Sequence, residues 1–66
     1  MVATIGQQIK RYRTQAGLTQ ADLAELIGIT HSAISLIEAD KRGVTIDKLR
    51  KICDALGCII TDIIEQ

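Results

Sequence analysis

One histidine, His31, and two cysteines, Cys53 and Cys58, hold most of the reactive chemistry available to this chain of 66 residues. Nucleophilic catalysis needs a hydroxyl or thiol beside a base, with a third group to orient the base. No Ser/His/Asp or Cys/His pattern supplies that set, and no glycine-rich run is built to cradle a phosphate. So short a chain also leaves no volume for a substrate cleft with its supporting shell. A structural zinc takes four ligands, more than one histidine and two cysteines provide. The residues therefore predict neither an enzyme, nor a cofactor, nor a small-molecule ligand site. Cys53 falls on an apolar stripe and Cys58 just after its end, which reads both as small buried hydrophobes. Within that stripe no basic residue lies beside either thiol to lower its pKa, and the spacing is not that of a redox pair.

Charge is the remaining resource. Eight basic residues balance eight acidic ones, so net charge by itself speaks against a nucleic-acid binder. The distribution speaks the other way. Lys10, Arg11 and Arg13 form one basic cluster, and Lys41, Arg42, Lys48, Arg50 and Lys51 form another, whereas Asp22, Glu25, Asp54, Asp62 and Glu65 lie elsewhere. Because local potential rather than net charge steers a partner, a neutral chain segregated in this way can present a positive face.

Short helices must position these groups. Hydrophobic residues at 47% and charged residues at 24% are globular proportions. A domain of this size buries only about 60% of the surface its unfolded chain exposes, so stability is marginal and rests on tight helix packing or a partner subunit. No apolar run is long enough to span a membrane and no basic-then-apolar leader opens the chain, which predicts a single cytoplasmic domain, 1–66, with reduced thiols.

Proline is absent, and glycines at 6, 17, 28, 43 and 57 punctuate apolar patterns of helical period. Thr4 is placed to cap a first helix with Ile5, Ile9, Tyr12 and Ala16 on one face, ended by Gly17. Thr19, with Asp22 three residues on as a capping-box partner, opens a second helix whose buried stripe is Leu23, Ala24, Leu26 and Ile27. Thr30 opens a third, which turns Ala33, Ile34 and Ile37 inward and leaves His31, Ser32, Ser35 and Leu36 on other faces. Thr45 opens a fourth with Ile46, Leu49, Ile52, Cys53 and Leu56 at helical spacing, closed by Gly57. The tail, 58–66, holds Ile59, Ile60, Ile63 and Ile64. Its β-branched residues suit a strand as well as a short helix.

The turn Gly28-Ile29-Thr30 is the specific feature. A linker this short makes the second and third helices cross steeply, and the crossing needs a small residue at the contact and a left-handed residue in the turn. Ala24 and Gly28 meet those needs, and with Ile34 and Ile37 they fall at the offsets of a helix-turn-helix over about 20–38. The sequence here resembles the Cro-and-repressor, or xenobiotic-response-element, family of helix-turn-helix DNA-binding regulators. Arg13, Gly17-Leu18-Thr19-Gln20, Leu23-Ala24, Gly28-Ile29, Ile34-Ser35, Ile37-Glu38, Leu49 and Ala55-Leu56-Gly57 match the family pattern in order, and the likeness runs from Ile5 to about Ile64.

The resemblance implies an all-α, five-helix, lambda-repressor-like domain that regulates transcription from a palindromic double-stranded DNA operator. It places the base-reading residues at the start of the third helix, here His31, Ser32, Ser35 and Leu36. Gln20 matches a glutamine that binds phosphate and steadies the first base-reading side chain, so Gln20 and His31 should be neighbours. Thr19, Gln20, Lys41, Arg42 and Arg11 are the phosphate-binding candidates, and Arg13 with Glu38 matches a pair that joins the first helix to the end of the third. His31 stands where glutamine is frequent, and it can donate or accept depending on tautomer and charge. Leu36 stands where a polar residue is frequent and offers only apolar contact, for instance to a thymine methyl. Four isoleucines in the tail, Ile59, Ile60, Ile63 and Ile64, exceed what one small domain can turn inward, which predicts a homodimer through that segment. Repression is the expected mode, since occupying an operator needs no surface beyond the DNA-binding domain. An antitoxin or adaptor that holds a partner protein is the reading from another class.

Overall fold

In the computed structural model, which describes residues 3–64, the chain folds into five helices: α1 (Ile5–Gln15), α2 (Gln20–Ile27), α3 (His31–Glu38), α4 (Ile46–Leu56) and α5 (Ile60–Ile64). Threonine hydroxyls begin the first four. Thr4, Thr19, Thr30 and Thr45 each accept the backbone N–H three residues on, satisfying one of the donors a helix leaves open at its start. At Thr19 the Asp22 carboxylate returns the bond to the Thr19 N–H at 2.9 Å, completing the capping box. This holds the Asp22 carboxyl below the usual carboxylate range. A second capping box that the pattern did not disclose pairs Thr4 with Gln7.

Ile9, Leu23, Ala24, Ile27, Ile34, Ile37, Leu49, Ile52, Cys53 and Ile63 form one contiguous core. Expectations fail at helix ends, and at those of α1 both Ile5 and Ala16 are exposed. Leu26 is 60% exposed rather than buried, because Leu23 and Ile27, one turn apart, with Ala24 already fill the inward face of an eight-residue helix. Ile46 is 56% exposed, since it is the first residue of α4 and the buried stripe begins one turn later at Leu49. Cys53 is buried and Cys58 half-buried, and the Cys58 N–H donates to the Cys53 carbonyl at 3.0 Å. Burial raises both and pushes Cys53 up to about 12, so the nucleophilic thiolate is disfavoured.

The tail is helical over Ile60–Ile64. No strand exists among the described residues to pair with it, while local bonds favour a turn. Asp62 accepts the Ile59 N–H on its carboxylate at 3.1 Å, and the Asp62 carbonyl accepts from the side chain of Gln8, a buried amide on α1, at 3.3 Å. Ile63 enters the core. Ile60 packs at its edge, and Ile59 and Ile64 are 64% and 46% exposed. Residues 65 and 66 of the predicted tail lie outside the described residues.

The N-terminal end of α1 meets the C-terminal end of α3 at Gly6. A β-carbon there would stand 2.4 Å from the Ile37 carbonyl oxygen, so only glycine permits the approach. Beyond α3 the chain turns at Asp40, a non-glycine residue with φ +59°. The Asp40 N–H bonds to the Ile37 carbonyl and the Lys41 N–H to that of Leu36, a Schellman closure of the helix. The Asp40 carboxylate then accepts from the Gly6 N–H at 3.0 Å and from the Thr4 hydroxyl. Helix α1 has no acidic residue in its own first turn, so Asp40 supplies across space the negative charge its N-terminus favours.

Candidate nucleic-acid interface

The crossing of α2 and α3 is set by their three-residue link. Gly28 adopts φ +77°, its N–H reaching the Glu25 carbonyl, and the Ile29 N–H closes on the Ala24 carbonyl at 3.0 Å. Ala24 and Ala33 are both buried. With Ala33, Ile34, Ile37 and Glu38 turned inward, α3 has one outward face left, and it carries the four predicted base-reading residues, His31, Ser32, Ser35 and Leu36, all exposed. Leu36 is thus an apolar group on an otherwise polar surface.

Beneath that face runs a continuous hydrogen-bonded chain. Arg13 Nε donates to Glu38 Oε2 at 2.6 Å and Arg13 Nη2 to Glu38 Oε1 at 3.0 Å, a bidentate pair with side chains 11% and 3% exposed. Arg13 Nη1 donates to the Leu18 carbonyl at 2.7 Å, fixing the link between α1 and α2. Donating to the Glu38 carboxylate raises the Arg13 pKa further above its already high value, so the guanidinium stays charged. Gln20 Nε2 donates to Glu38 Oε1 at 3.0 Å, and Gln20 Oε1 lies 2.9 Å from His31 Nε2. The neighbours the family pattern implied, Gln20 with His31 and Arg13 with Glu38, therefore belong to one network spanning α1, α2 and α3. No buried side-chain nitrogen or oxygen among the described residues is left without a partner.

Lys41 and Arg42 are exposed in the loop that follows α3, immediately after the residue whose carboxylate is tied to α1. Thr19 is exposed at the start of α2, its hydroxyl oxygen accepting the Asp22 N–H. Arg11 sits apart, with Gln7, Lys10, Thr14 and Gln15 on the outward side of α1, and no hydrogen bond among the described residues links it to α3. Asp40, Gly6 and Gln8 are the structural residues that sequence reasoning did not reach. An acidic residue just after a helix, facing a helix that lacks one, was the only available signal for Asp40.

The helix-turn-helix profile matches residues 9–63. The chain is 39% identical over 61 residues to the HTH-type transcriptional regulator PuuR of Escherichia coli K12, covering 92% of this chain and 33% of that protein. It is 34% identical over 63 residues to the immunity repressor protein of Bacillus phage phi105, covering 96% of this chain and 44% of the repressor. The chain thus spans less than half the length of these relatives. Among solved structures it superimposes on SinR, a master regulator for biofilm formation crystallised in complex with DNA. The TM-score is 0.88 at 32% identity, over 94% of this chain and 100% of that one. The chain belongs to the Cro-and-repressor helix-turn-helix family, and its five helices form that family's lambda-repressor-like domain.

Proposed function

We propose that the chain binds double-stranded DNA through the outward face of α3 and regulates transcription, by occupying a palindromic operator as a homodimer. One observation carries the reading. The N-terminal half of α3 presents His31, Ser32 and Ser35 to solvent on a crossing fixed by Gly28, with His31 steadied from below by Gln20. The major groove is wide enough to admit a helix, and polar side chains so presented can meet the distinct pattern of donors and acceptors each base pair shows there. Lys41 and Arg42, with Thr19 and Gln20, are the groups assigned to phosphate, a role that positions without specifying sequence. Arg11, on the other side of α1, is the weakest of that set.

Exposed Ile59 and Ile64, with Ile60 at the core's edge, support dimerisation through the tail. Two-fold symmetry would then set two copies of α3 on one face of the duplex about 34–36 Å apart. Repression is supported by the likeness to a phage immunity repressor. Selection of duplexes from a random pool tests the reading. A retained motif with two-fold symmetry is the expected result, and no sequence preference even at low salt would favour the antitoxin or adaptor reading.

A further inference from the structure

The proton positions in the network beneath α3 can be counted, and they determine what His31 offers to a base. The Glu38 carboxylate is gripped by two guanidinium N–H groups, so Oε1 facing Gln20 is an acceptor. Gln20 must therefore turn its NH₂ toward Glu38, because a carbonyl there would set two acceptors against each other. That orientation leaves the Gln20 carbonyl oxygen facing His31 Nε2 at 2.9 Å. An oxygen can only accept, so Nε2 must carry the proton. In the neutral imidazole the other nitrogen, Nδ1, is then a bare acceptor. Nδ1 has no hydrogen-bond partner among the described residues, and His31 is exposed as the first residue of α3.

We infer that Arg13, Glu38 and Gln20 lock His31 in its Nε2–H form, and that His31 reads an exocyclic amino group, adenine N6 or cytosine N4, through Nδ1. Those are the donors that bases show in the major groove, whereas guanine N7 and O6, adenine N7 and thymine O4 are acceptors and would face Nδ1 unfavourably. Gln20 is a positioning residue in this account, and Glu38 and Arg13 act through it. The inference rests on the proposed base-reading role of α3 and sharpens it from a residue to a chemical group.

Two measurements test it at pH 8, where a free imidazole is neutral. First, two-dimensional ¹H–¹⁵N spectra of the His31 ring in the full chain should show a protonated Nε2 with a slowly exchanging proton and an unprotonated Nδ1. Gln20→Leu should speed that exchange. A protonated Nδ1 overturns the inference whatever the chain binds. Second, the base pair at which His31→Ala loses discrimination is located in duplexes selected from a random pool, and single atoms of the contacted base are then deleted. Purine in place of adenine, or 2-pyrimidinone in place of cytosine, removes the amino group and should weaken binding about ten-fold. The same replacement should have no effect on His31→Ala. A 7-deazapurine, which removes N7, should leave the parent's affinity unchanged. The reverse pattern, with N7 mattering and the amino group not, overturns the inference. If no duplex is retained, or His31→Ala discriminates as the parent does, the base-reading role itself has failed, while the ring spectra still decide the tautomer.

Discussion

The two ends of this small fold are held by different means. Around α2 and α3, buried apolar side chains sit under a closed polar network in which Arg13, Leu18, Glu38, Gln20 and His31 are joined by hydrogen bonds of 2.6–3.0 Å. The α5 end has one short helix, one fully buried isoleucine, and Ile59 and Ile64 left in solvent. The first region is satisfied within one chain. The second has no such network over its uncovered Ile59 and Ile64, although Leu26 and Leu36 leave apolar surface exposed in the first region too. Polar satisfaction fixes a surface in one geometry, as a reading surface requires, while uncovered apolar area is what a partner subunit can bury.

Breaking the polar network should have the largest effect. With Arg13 truncated, the Glu38 carboxylate would remain buried and uncompensated, and such losses cost about 3–5 kcal/mol. Thermal unfolding of Arg13→Ala should therefore show a sharp fall in Tm, and an apolar replacement of both partners should recover much of it. A single variant that melts like the parent would mean the pair contributes nothing. At the other end, Ile63→Ala removes a fully buried side chain, with an expected loss of about 2–5 kcal/mol by chemical denaturation. If that loss is absent, α5 is not docked.

Asp40 tests the seam between the regions. Asp40→Ala deletes the acceptor of the Gly6 N–H and the Thr4 hydroxyl while keeping a β-carbon at positive φ, so it should cost about 0.5–2 kcal/mol. Asp40→Gly should lose less, because glycine adopts that backbone without strain. Equal losses would show that the carboxylate rather than the backbone conformation sets the cost. The smallest effect on monomer stability belongs to Ile59→Asp, an exposed change expected within about 0.5 kcal/mol. Sedimentation equilibrium should nevertheless show a dimer in the parent and a monomer in Ile59→Asp. A parent that stays monomeric at several hundred micromolar would remove the tail from the account.

Much of this contrast was legible in the sequence, because the signals concerned are local. Threonines before apolar repeats gave the helix starts, Gly28 gave the turn, and the offsets of Ala24, Ile34 and Ile37 gave the crossing. Features that depend on approach in space were not legible. Asp40 and Gly6 meet across thirty-four positions, and Gln8 reaches the Asp62 carbonyl across fifty-four. Leu26 and Ile46 were misassigned because periodicity shows which side of a helix is apolar but not where along its length the core stops. In the tail the pattern counted four isoleucines correctly, but only the packed fold shows that Ile63 belongs to the core.

The central claim is that sequence is read by the outward face of α3 and not by the basic loop after it. Its most direct test is binding anisotropy on one selected duplex and one scrambled duplex across a salt series. His31→Ala and Lys41→Ala should be compared with the parent. His31→Ala should lose about 1–3 kcal/mol on the selected duplex only, with helix content unchanged. Lys41→Ala should weaken both duplexes alike and reduce the slope of log affinity against log salt by about 0.9. If His31→Ala binds both duplexes as the parent does while Lys41→Ala loses selectivity, the reading surface has been placed on the wrong element.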